Sequence, residues 1–434
     1  MDETKTYRTS RKCWVVLLAC CLTDAVGFTI GTTLFSVFLT PMKTAMELTM
    51  TQAQIYNTTC MACTIISTFF GDKFMRMGAG KMVAIMAAAE MIGYNLMGFF
   101  PSVATMAIAG CLGGIAYPLL SIYTVPVIVG NWFHSRQGTW ISIGVACSGL
   151  GGLILSPFST SLIATFGWQR ALSLTSLVCL IPLLCGIFII RENPLDQGIL
   201  PHGATLEDLE KDKEEKDAAK ALELPGLTLK EALHSPAFYI LAVSLFCIGI
   251  TSGYAGNMNP IIQAAGYSAT TAAAGLSAMS LGNLFCKPIL GIMRDRLGAV
   301  LSGICGYMCL IIGFACILFS TAIGNTTFII VTAFITGLGG GAGLIMPSLY
   351  TKDALGSKDF DRIYSIQMGI RACGCAVAAP LAGVMFDASG GYTTSIVMWM
   401  CAAAVIFIFG FIAVKLGRRA WGGSPKILGR PDKK

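Results

Sequence analysis

Four ionisable residues lie inside long apolar runs of this sequence, where charged side chains are rare. They are two acids, Asp24 and Glu90, and two cations, Lys287 and Arg371. A charge near the centre of a bilayer costs about 3 kcal/mol on insertion scales, so the four need about 10 kcal/mol of compensation from partners, water or a ligand. Such residues usually mark a substrate or ion pathway, and a structural pair such as Asp24 with Arg371 is the alternative.

The two cations predict an anionic ligand. The planar guanidinium of Arg371 can hold both oxygens of a carboxylate, and the ammonium of Lys287 adds a point charge. A bound anion would also neutralise a cavity that is otherwise too positive to close. The pair therefore favours a carboxylate.

Helices that cross a membrane must position these charges. The chain is 55% hydrophobic and 12% charged, whereas soluble proteins are about 25% charged. Its apolar runs are long enough to cross the roughly 30 Å hydrocarbon core as helices. We predict an all-α integral membrane protein with twelve transmembrane helices in two six-helix bundles. The predicted spans are 13–40, 52–72, 82–100, 103–130, 138–166, 169–190, 236–264, 270–293, 299–321, 327–350, 363–386 and 392–414.

The net charge of +7 is distributed by side of the membrane. With both termini cytoplasmic, the inner segments hold 26 of the 30 Lys and Arg residues, and the outer loops hold only Lys43 and Arg170. This asymmetry sets the orientation of the helices and does not indicate a nucleic-acid partner. We expect a multi-pass protein of the cell (plasma or inner) membrane.

One charged segment, 191–235, separates a six-helix bundle at 1–190 from a second bundle and basic tail at 236–434. Its mixed charges are typical of a solvated cytoplasmic linker, with partner docking left open. The two halves repeat a pattern of small and polar residues. Gly110, Gly113, Gly114, Ser121, Tyr123 and Thr124 match Gly337, Gly340, Gly341, Ser348, Tyr350 and Thr351. Repeated halves place a substrate site near the midplane between the bundles.

The loop after the eighth predicted helix carries a recognisable motif. Gly291-Ile-Met-Arg-Asp295-Arg296-Leu-Gly298 resembles the G-x-x-x-D-R-x-G loop of the major facilitator superfamily. The resemblance implies a conformational latch at Gly291, Asp295 and Arg296, with Arg76 in the matching first-half loop. That loop departs from the motif, since Met75 stands where an acid is expected.

Further motifs resemble the oxalate/formate antiporter and monocarboxylate transporter branch of that superfamily. They are Leu284-Phe-Cys-Lys287-Pro288-Ile-Leu-Gly291, Tyr364-x6-Arg371, Asn131-Trp132-Phe133-x-x-Arg136-x-Gly138, Arg191-x-x-Pro194-x-x-x-Gly198-x-x-Pro201 and the run Gly226–Phe238. The resemblance covers both halves. It implies a secondary transporter in which cations of helices 8 and 11, here Lys287 and Arg371, bind a substrate carboxylate. The two cation types are exchanged relative to the usual Arg and Lys.

The same resemblance implies a pocket wider than that of the oxalate carriers. Where those carriers have aromatic residues, this chain has Ser148, Gly339, Gly343 and Met368. A carboxylate larger than oxalate is therefore expected. Polar residues that could line the pocket, or could equally serve packing, are Asn57, Tyr123, Tyr254, Asn257 and Asn283.

Proton coupling needs an acid in the transport pathway. Proton-coupled relatives place an Asp one turn before the helix 8 cation, where this chain has Asn283. Asp24 is the replacement candidate, because helix 1 normally lines the cavity in this family. Glu90 is a second candidate, with a structural role as its alternative. Proton symport and anion exchange both stay open.

Other function classes have less support. Multidrug or cation efflux conflicts with Lys287 and Arg371 unless the acids dominate the cavity, and a membrane sensor that binds an anion without moving it remains an alternative. An enzyme is not predicted, because His, Cys and acidic residues do not converge on a catalytic pattern. Cys60 and Cys63 form one C-x-x-C pair, too few ligands for a metal site. We expect no cofactor, and a monomer with a small carboxylate, protons and the lipid bilayer as partners.

Overall fold

The computed structural model describes residues 11–204 and 226–420. Within them, the side chains at 68, 69, 71, 72, 75, 196, 291, 294–297, 299, 321 and 322 are not described. The first half contains α1 Lys12–Ala45, α2 Ile55–Met75, α3 Ala79–Phe99, α4 Val103–Trp132, α5 137–166 and α6 168–188. The second half contains α7 Pro236–Ala264, α8 Ala269–Leu297, α9 Ala299–Ile323, α10 Thr326–Leu355, α11 Phe360–Ser389 and α12 Thr393–Ala420.

Nine helical stretches of the described chain are long and apolar enough to cross a membrane. One of them, 137–188, contains both α5 and α6, which are separated at Gly167 by a left-handed φ of 78° that suits glycine. With α2 and α8, the long helices of the described chain number twelve. Large apolar side chains such as Phe99, Phe188 and Phe319 point to the exterior, as lipid-facing residues do. The predicted twelve-helix membrane fold is confirmed.

The glycines shared by the two halves bring equivalent helices into close contact. A Cβ atom on Gly110 of α4 would lie 2.0 Å from Thr59 Oγ1 of α2. A Cβ atom on Gly337 of α10 would lie 2.0 Å from the Met279 carbonyl oxygen of α8. Small residues allow such approach where lipid provides little drive for helix association. The repeat in the sequence is therefore a repeat in packing.

Two first-half helices contain a π-helical turn near their middle. The turn spans Thr29–Thr33 in α1 and Leu119–Tyr123 in α4. Such turns widen the helix, leave backbone carbonyls for other partners and often occur at functional sites.

The two ends of the molecule differ in how they join the halves. We call the end with the loops at 100–102, 266–268 and 390–392 the distal end, and the end with the described parts of 191–235 the linker end. At the distal end, Asp387 of α11 accepts hydrogen bonds from the N–H groups of Met50 (2.8 Å) and Thr51 (2.9 Å) and from the Thr51 hydroxyl (2.6 Å). Nearby, Gln54 donates a hydrogen bond to Asn257 of α7. The distal ends of the halves are thus held together.

A second contact between the halves runs along α5 and α8. Ser156 donates to the Ala273 carbonyl (3.1 Å), and Ser277 donates to the Leu153 carbonyl (3.0 Å). Because these bonds come from both helices, α5 and α8 form a continuous seam.

The linker contributes two arms, 191–204 and 226–235, and each pairs with its own half. In the first arm, His202 donates from its N–H to the Trp132 carbonyl (2.8 Å) and accepts from the His134 N–H (3.0 Å). In the second arm, the Leu227 N–H donates to the Leu355 carbonyl (2.9 Å). The acidic run at 207–217, predicted to be a solvated linker, lies outside the described residues.

The second arm continues into a short helix, Leu229–His234. A capping box starts it: the Thr228 N–H donates to Glu231 Oε2 (2.8 Å), and the Glu231 N–H donates to Thr228 Oγ1 (3.4 Å). The hydrogen bonds with Thr228 lower the pKa of the exposed Glu231 carboxyl. Asp359 then accepts from the Leu229 N–H (2.8 Å) and ties this helix to the second half.

Candidate functional site

Lys287 of α8 reaches across the seam between the halves. Its Nζ donates to the Val145 carbonyl (2.7 Å) and to Ser148 Oγ (2.8 Å), both on α5. Only 9% of the side chain is exposed. A second-half cation is therefore held by first-half groups in this conformation.

Asp24 of α1 supplies the negative charge near that ammonium. Its side chain is fully buried, and Ser121, inside the π turn of α4, donates a hydrogen bond to its Oδ1. Asp24 interacts electrostatically with Lys287, and Ser148 lies close to both. The nearby cation of Asp24 is thus Lys287, and the alternative pairing of Asp24 with Arg371 is wrong.

Arg371 of α11 has a different environment. The titratable groups that interact with it are the phenols of Tyr117, Tyr307 and Tyr364 and the thiol of Cys375. Among the described residues, no hydrogen-bond acceptor contacts its buried Nε atom. A guanidinium among phenols, with an N–H unused, is suited to bind an anion.

Asn283 and Tyr123 lie on opposite sides of the seam. Asn283 is one turn before Lys287 on α8, and its Oδ1 lies 3.2 Å from the position of a Cβ on Gly341. That buried oxygen has no hydrogen-bond partner among the described residues. Tyr123 ends the π turn of α4 and interacts electrostatically with Tyr364, a neighbour of Arg371. Asn283 is therefore one helical turn from Lys287, and Tyr123 is linked to Arg371 through Tyr364.

Tyr254 and Asn257 have other contacts. Tyr254 packs edge-on against Phe314 at 5.3 Å, and its hydroxyl fills the space beside Gly340. Asn257 is fully buried in the distal network, where it donates to the Gly253 carbonyl (2.9 Å) and accepts from Gln54. These contacts give Tyr254 a packing role and Asn257 a role in joining the halves.

The small residues expected to widen the pocket separate into two groups. Gly339 faces α9, where a Cβ atom would lie 2.4 Å from the Leu310 backbone nitrogen, so the expectation that it lines the pocket is wrong. At Gly343, a Cβ atom would meet only Ile248, at 3.4 Å. Ser148 lines the site through its contact with Lys287. Gly343 therefore leaves space, Ser148 binds Lys287, and Gly339 serves packing.

The predicted latch is described in part. The side chains of Gly291, Asp295 and Arg296 lie outside the described residues, and Arg76 is exposed at the linker end. The last glycine of each latch loop, Gly78 after α2 and Gly298 after α8, has a positive φ angle, of 93° and 87° respectively. These left-handed turns end equivalent helices in the two halves, as the repeated motif predicts.

Glu90 lies against α1 and not at the periphery of the bundle. It is 2% exposed, and its Oε1 is 3.1 Å from the position of a Cβ on Gly31, within the π turn of α1. It is therefore separate from the group formed by Asp24, Ser148 and Lys287.

Two contacts of the site have little signal in the sequence. Ser121 recurs as Ser348 in the second half, which marks it only as part of the repeat. The Val145 carbonyl has no side-chain signature at all, because a backbone acceptor depends on the register between α5 and α8.

Comparison with known proteins identifies the family. The model of the Major Facilitator Superfamily matches residues 25–276 and 241–426. The chain is 24% identical to the oxalate:formate antiporter of Oxalobacter formigenes over 81% of this chain and 78% of that protein. It is 23% identical to monocarboxylate transporter 12 of Xenopus laevis over 79% and 75%. It is also 24% identical to the uncharacterized MFS-type transporter YhjX of Escherichia coli K12, over 65% of this chain and 64% of that protein's length.

Solved structures show the same fold. A D-xylose–proton symporter superposes with a TM-score of 0.65 at 14% identity, over 94% of this chain and 98% of that one. A bacterial homologue of the human lysosomal transporter Spinster superposes with a TM-score of 0.67 at 14% identity, over 96% and 100%. The branch resemblance drawn from the motifs is confirmed, and these relatives are transporters, which are not enzymes. The chain belongs to the major facilitator superfamily, as a multi-pass membrane transporter of a small molecule.

Proposed function

We propose that this transporter carries an organic carboxylate larger than oxalate by alternating access, with a proton or in exchange for another anion. Two relatives named for oxalate:formate antiport and for monocarboxylate transport support the substrate class. The open space beside Gly343 supports a substrate of larger size.

The observation that carries the proposal is the environment of Arg371. Phenols and a thiol interact with its guanidinium, and its Nε–H has no acceptor among the described residues. A carboxylate would supply two acceptor oxygens to a planar fork of donors, which is the strongest geometry for such a pair. Arg371 is therefore the first binding group for the substrate.

Lys287 is the second binding group and is engaged before the substrate arrives. Its ammonium already has two acceptors on α5 and the nearby charge of Asp24. A carboxylate that reaches it can accept from the third N–H of the ammonium and must compete with Asp24 for the positive charge. Binding at Lys287 would thus change a contact between the two halves, which is what coupling to alternating access requires.

Asp24 is the group that we propose for proton coupling. When its carboxylate gains a proton, Lys287 loses the nearby negative charge and can turn to the substrate anion. A monocarboxylate and one proton then enter together with no net charge, whereas a dicarboxylate would carry in one negative charge. In the exchange mode, Asp24 would stay ionised and a second anion would replace the first.

The contacts between the halves support alternating access. Hydrogen bonds at the distal end join the halves through Asp387 and Asn257. At the linker end, Trp132 Nε1 donates to the backbone carbonyl of Arg191 (2.9 Å). Arg418 forms an ion pair with Asp353 (2.8 Å), and each of these contacts lies within one half. We infer that the site opens toward the linker end, which the basic residues of the sequence place in the cytoplasm of a plasma or inner membrane. We propose that the transporter acts as a monomer.

Uptake into proteoliposomes tests the substrate class. Mono-, di- and aromatic carboxylates and one lipophilic cation would be compared for the native protein, Lys287→Gln, Arg371→Gln and the exposed control Lys352→Gln. We expect both site variants to lose carboxylate uptake at unchanged protein level and the control to retain it. Normal uptake in both site variants, or transport of the cation alone, would overturn the carboxylate proposal.

A further inference from the structure

Glu90 is a buried acid that the proposed transport site does not use. It lies in the middle of α3 with 2% exposure, and it faces the π turn of α1 at Gly31. Gly31 has no room for a side chain, because a Cβ there would lie 2.4 Å from Tyr117 and 3.1 Å from Glu90 Oε1. The carboxyl group therefore stands directly against the backbone of α1.

The hydrogen-bond donors around this turn are directed to the backbone of α1. Tyr94 donates to the Ile30 carbonyl (2.8 Å), with Tyr56 at 3.4 Å from the same oxygen, and Cys60 donates to the Gly31 carbonyl (3.2 Å). They satisfy carbonyls that a π turn leaves available. Neither oxygen of Glu90 has a hydrogen-bond partner among the described residues.

The surrounding groups provide no positive charge for an ionised Glu90. The titratable groups that interact with it are Tyr56 and Cys60 of α2, Tyr94 of α3 and Cys179 of α6. Tyr117 of α4 packs on the other side of Gly31. An ionised carboxylate buried without a partner costs several kcal/mol, whereas a neutral acid costs much less.

We propose that Glu90 is a proton-binding site, distinct from Asp24, that keeps its proton at neutral pH while α1 holds its π turn. The neutral carboxyl can lie against the α1 backbone, where a charge could not. Residues 24 and 31 are seven positions apart on α1, or about 10 Å at 1.5 Å per residue. The Glu90 carboxyl therefore lies at a different level of α1 from Asp24.

Infrared difference spectroscopy of the purified protein tests this proposal directly. The spectrum of Asp24→Asn at neutral pH would be compared with that of Asp24→Asn/Glu90→Gln, so that Asp24 contributes to neither. We expect the second substitution to remove one band of a protonated carboxyl group. The matched control, Glu47→Gln at an exposed distal position, should leave that protonated-carboxyl band in place.

Loss of a carboxylate band in Glu90→Gln would show that Glu90 is ionised and would overturn the proposal. If that variant does not fold, native protein with isotope-labelled glutamate carboxyls provides the same answer. One glutamate should then stay protonated at neutral pH, and complete ionisation would contradict the proposal. Neither spectroscopic readout depends on transport. The proposal for Glu90 is therefore tested separately from the carboxylate proposal.

Discussion

Lys287 and Arg371 share a charge but differ in what already surrounds them. Lys287 has a carbonyl, a hydroxyl and a carboxylate nearby, whereas phenols and a thiol interact with Arg371. We therefore expect an order of events in the proposed cycle: the substrate anion binds Arg371, whose Nε–H has no acceptor among the described residues, before it competes with Asp24 for the charge of Lys287. Transporters of the oxalate/formate and monocarboxylate branch usually have Arg in helix 8 and Lys in helix 11. The exchange of these two residue types in this chain would therefore alter which helix binds the substrate first.

Asp24→Asn should remove the pH dependence of uptake. In the native protein, protonation of Asp24 frees Lys287, so uptake should rise as the pH on the entry side falls. The amide cannot bind a proton, and it places no negative charge beside Lys287 at any pH. Initial uptake rates measured across pH should then be flat.

Exchange of external for internal substrate provides the control for that variant. It needs no net proton movement and should survive Asp24→Asn. A pH profile that remains like that of the native protein would instead assign coupling to anion exchange or to Glu90.

The sequence predicts the charged residues of the site but not their partners. Asp24, Lys287 and Arg371 are evident because charges inside apolar runs are costly. Their pairing depends on the relative register of α1, α5 and α8, and a shift of one residue on α8 would rotate Lys287 by about 100°. Gly339 shows the same limit, since its face on α10 could not be read from its type.

Among the helices, α10 shows how one element uses glycine in two ways. Gly337 allows its backbone to touch α8, whereas Gly343 borders space next to Ile248. Both are glycines of one apolar run, so only the packing separates their roles.

Gly337→Ala should destabilise the protein, and Gly343→Ala should not. The first methyl group would lie 2.0 Å from the Met279 carbonyl, which belongs to backbone and cannot turn away. Overpacking of this kind typically costs about 1–3 kcal/mol. Thermal unfolding in detergent should show a lower midpoint for Gly337→Ala alone. Equal midpoints for the two variants would contradict this account of α8–α10 packing.

The helices themselves were largely predictable, and the π turns were not. Predicted spans such as 138–166 and 169–190 nearly match α5 and α6, because apolar runs and Gly167 define them. The turn at Thr29–Thr33 depends on tyrosines of α2 and α3 that reach the Ile30 carbonyl. These tyrosine contacts are tertiary, so the sequence of α1 alone does not show them.

Across the whole molecule, Asp387 is the acid that holds the distal end together. Its carboxylate accepts three hydrogen bonds from Met50 and Thr51. A charged group of the second half therefore caps the short first-half helix Met50–Ala53. A change at this residue should therefore act on the arrangement of the halves and leave the site itself intact.

Asp387→Ala should loosen the distal contact. The N–H groups of Met50 and Thr51 lose their acceptor, and hydrogen exchange at these amides should accelerate. If the distal end opens, exchange should also rise around Asn257. Asp353→Ala is the matched control, because it removes the ion pair between Asp353 and Arg418, which lies within one half. Unchanged exchange near Thr51 in Asp387→Ala would contradict the role of this contact.

The two linker arms have a consequence for how the polypeptide can be made. His202 and Leu227 attach each arm by main-chain hydrogen bonds to the half from which it extends. A break in covalent continuity between Ala204 and Gly226 would leave both arms in place on their own bundles. Two separately translated fragments would each contain the described backbone partners of their arm, so their reassembly would rely on packing between the bundles, including the α5–α8 seam and the distal contacts.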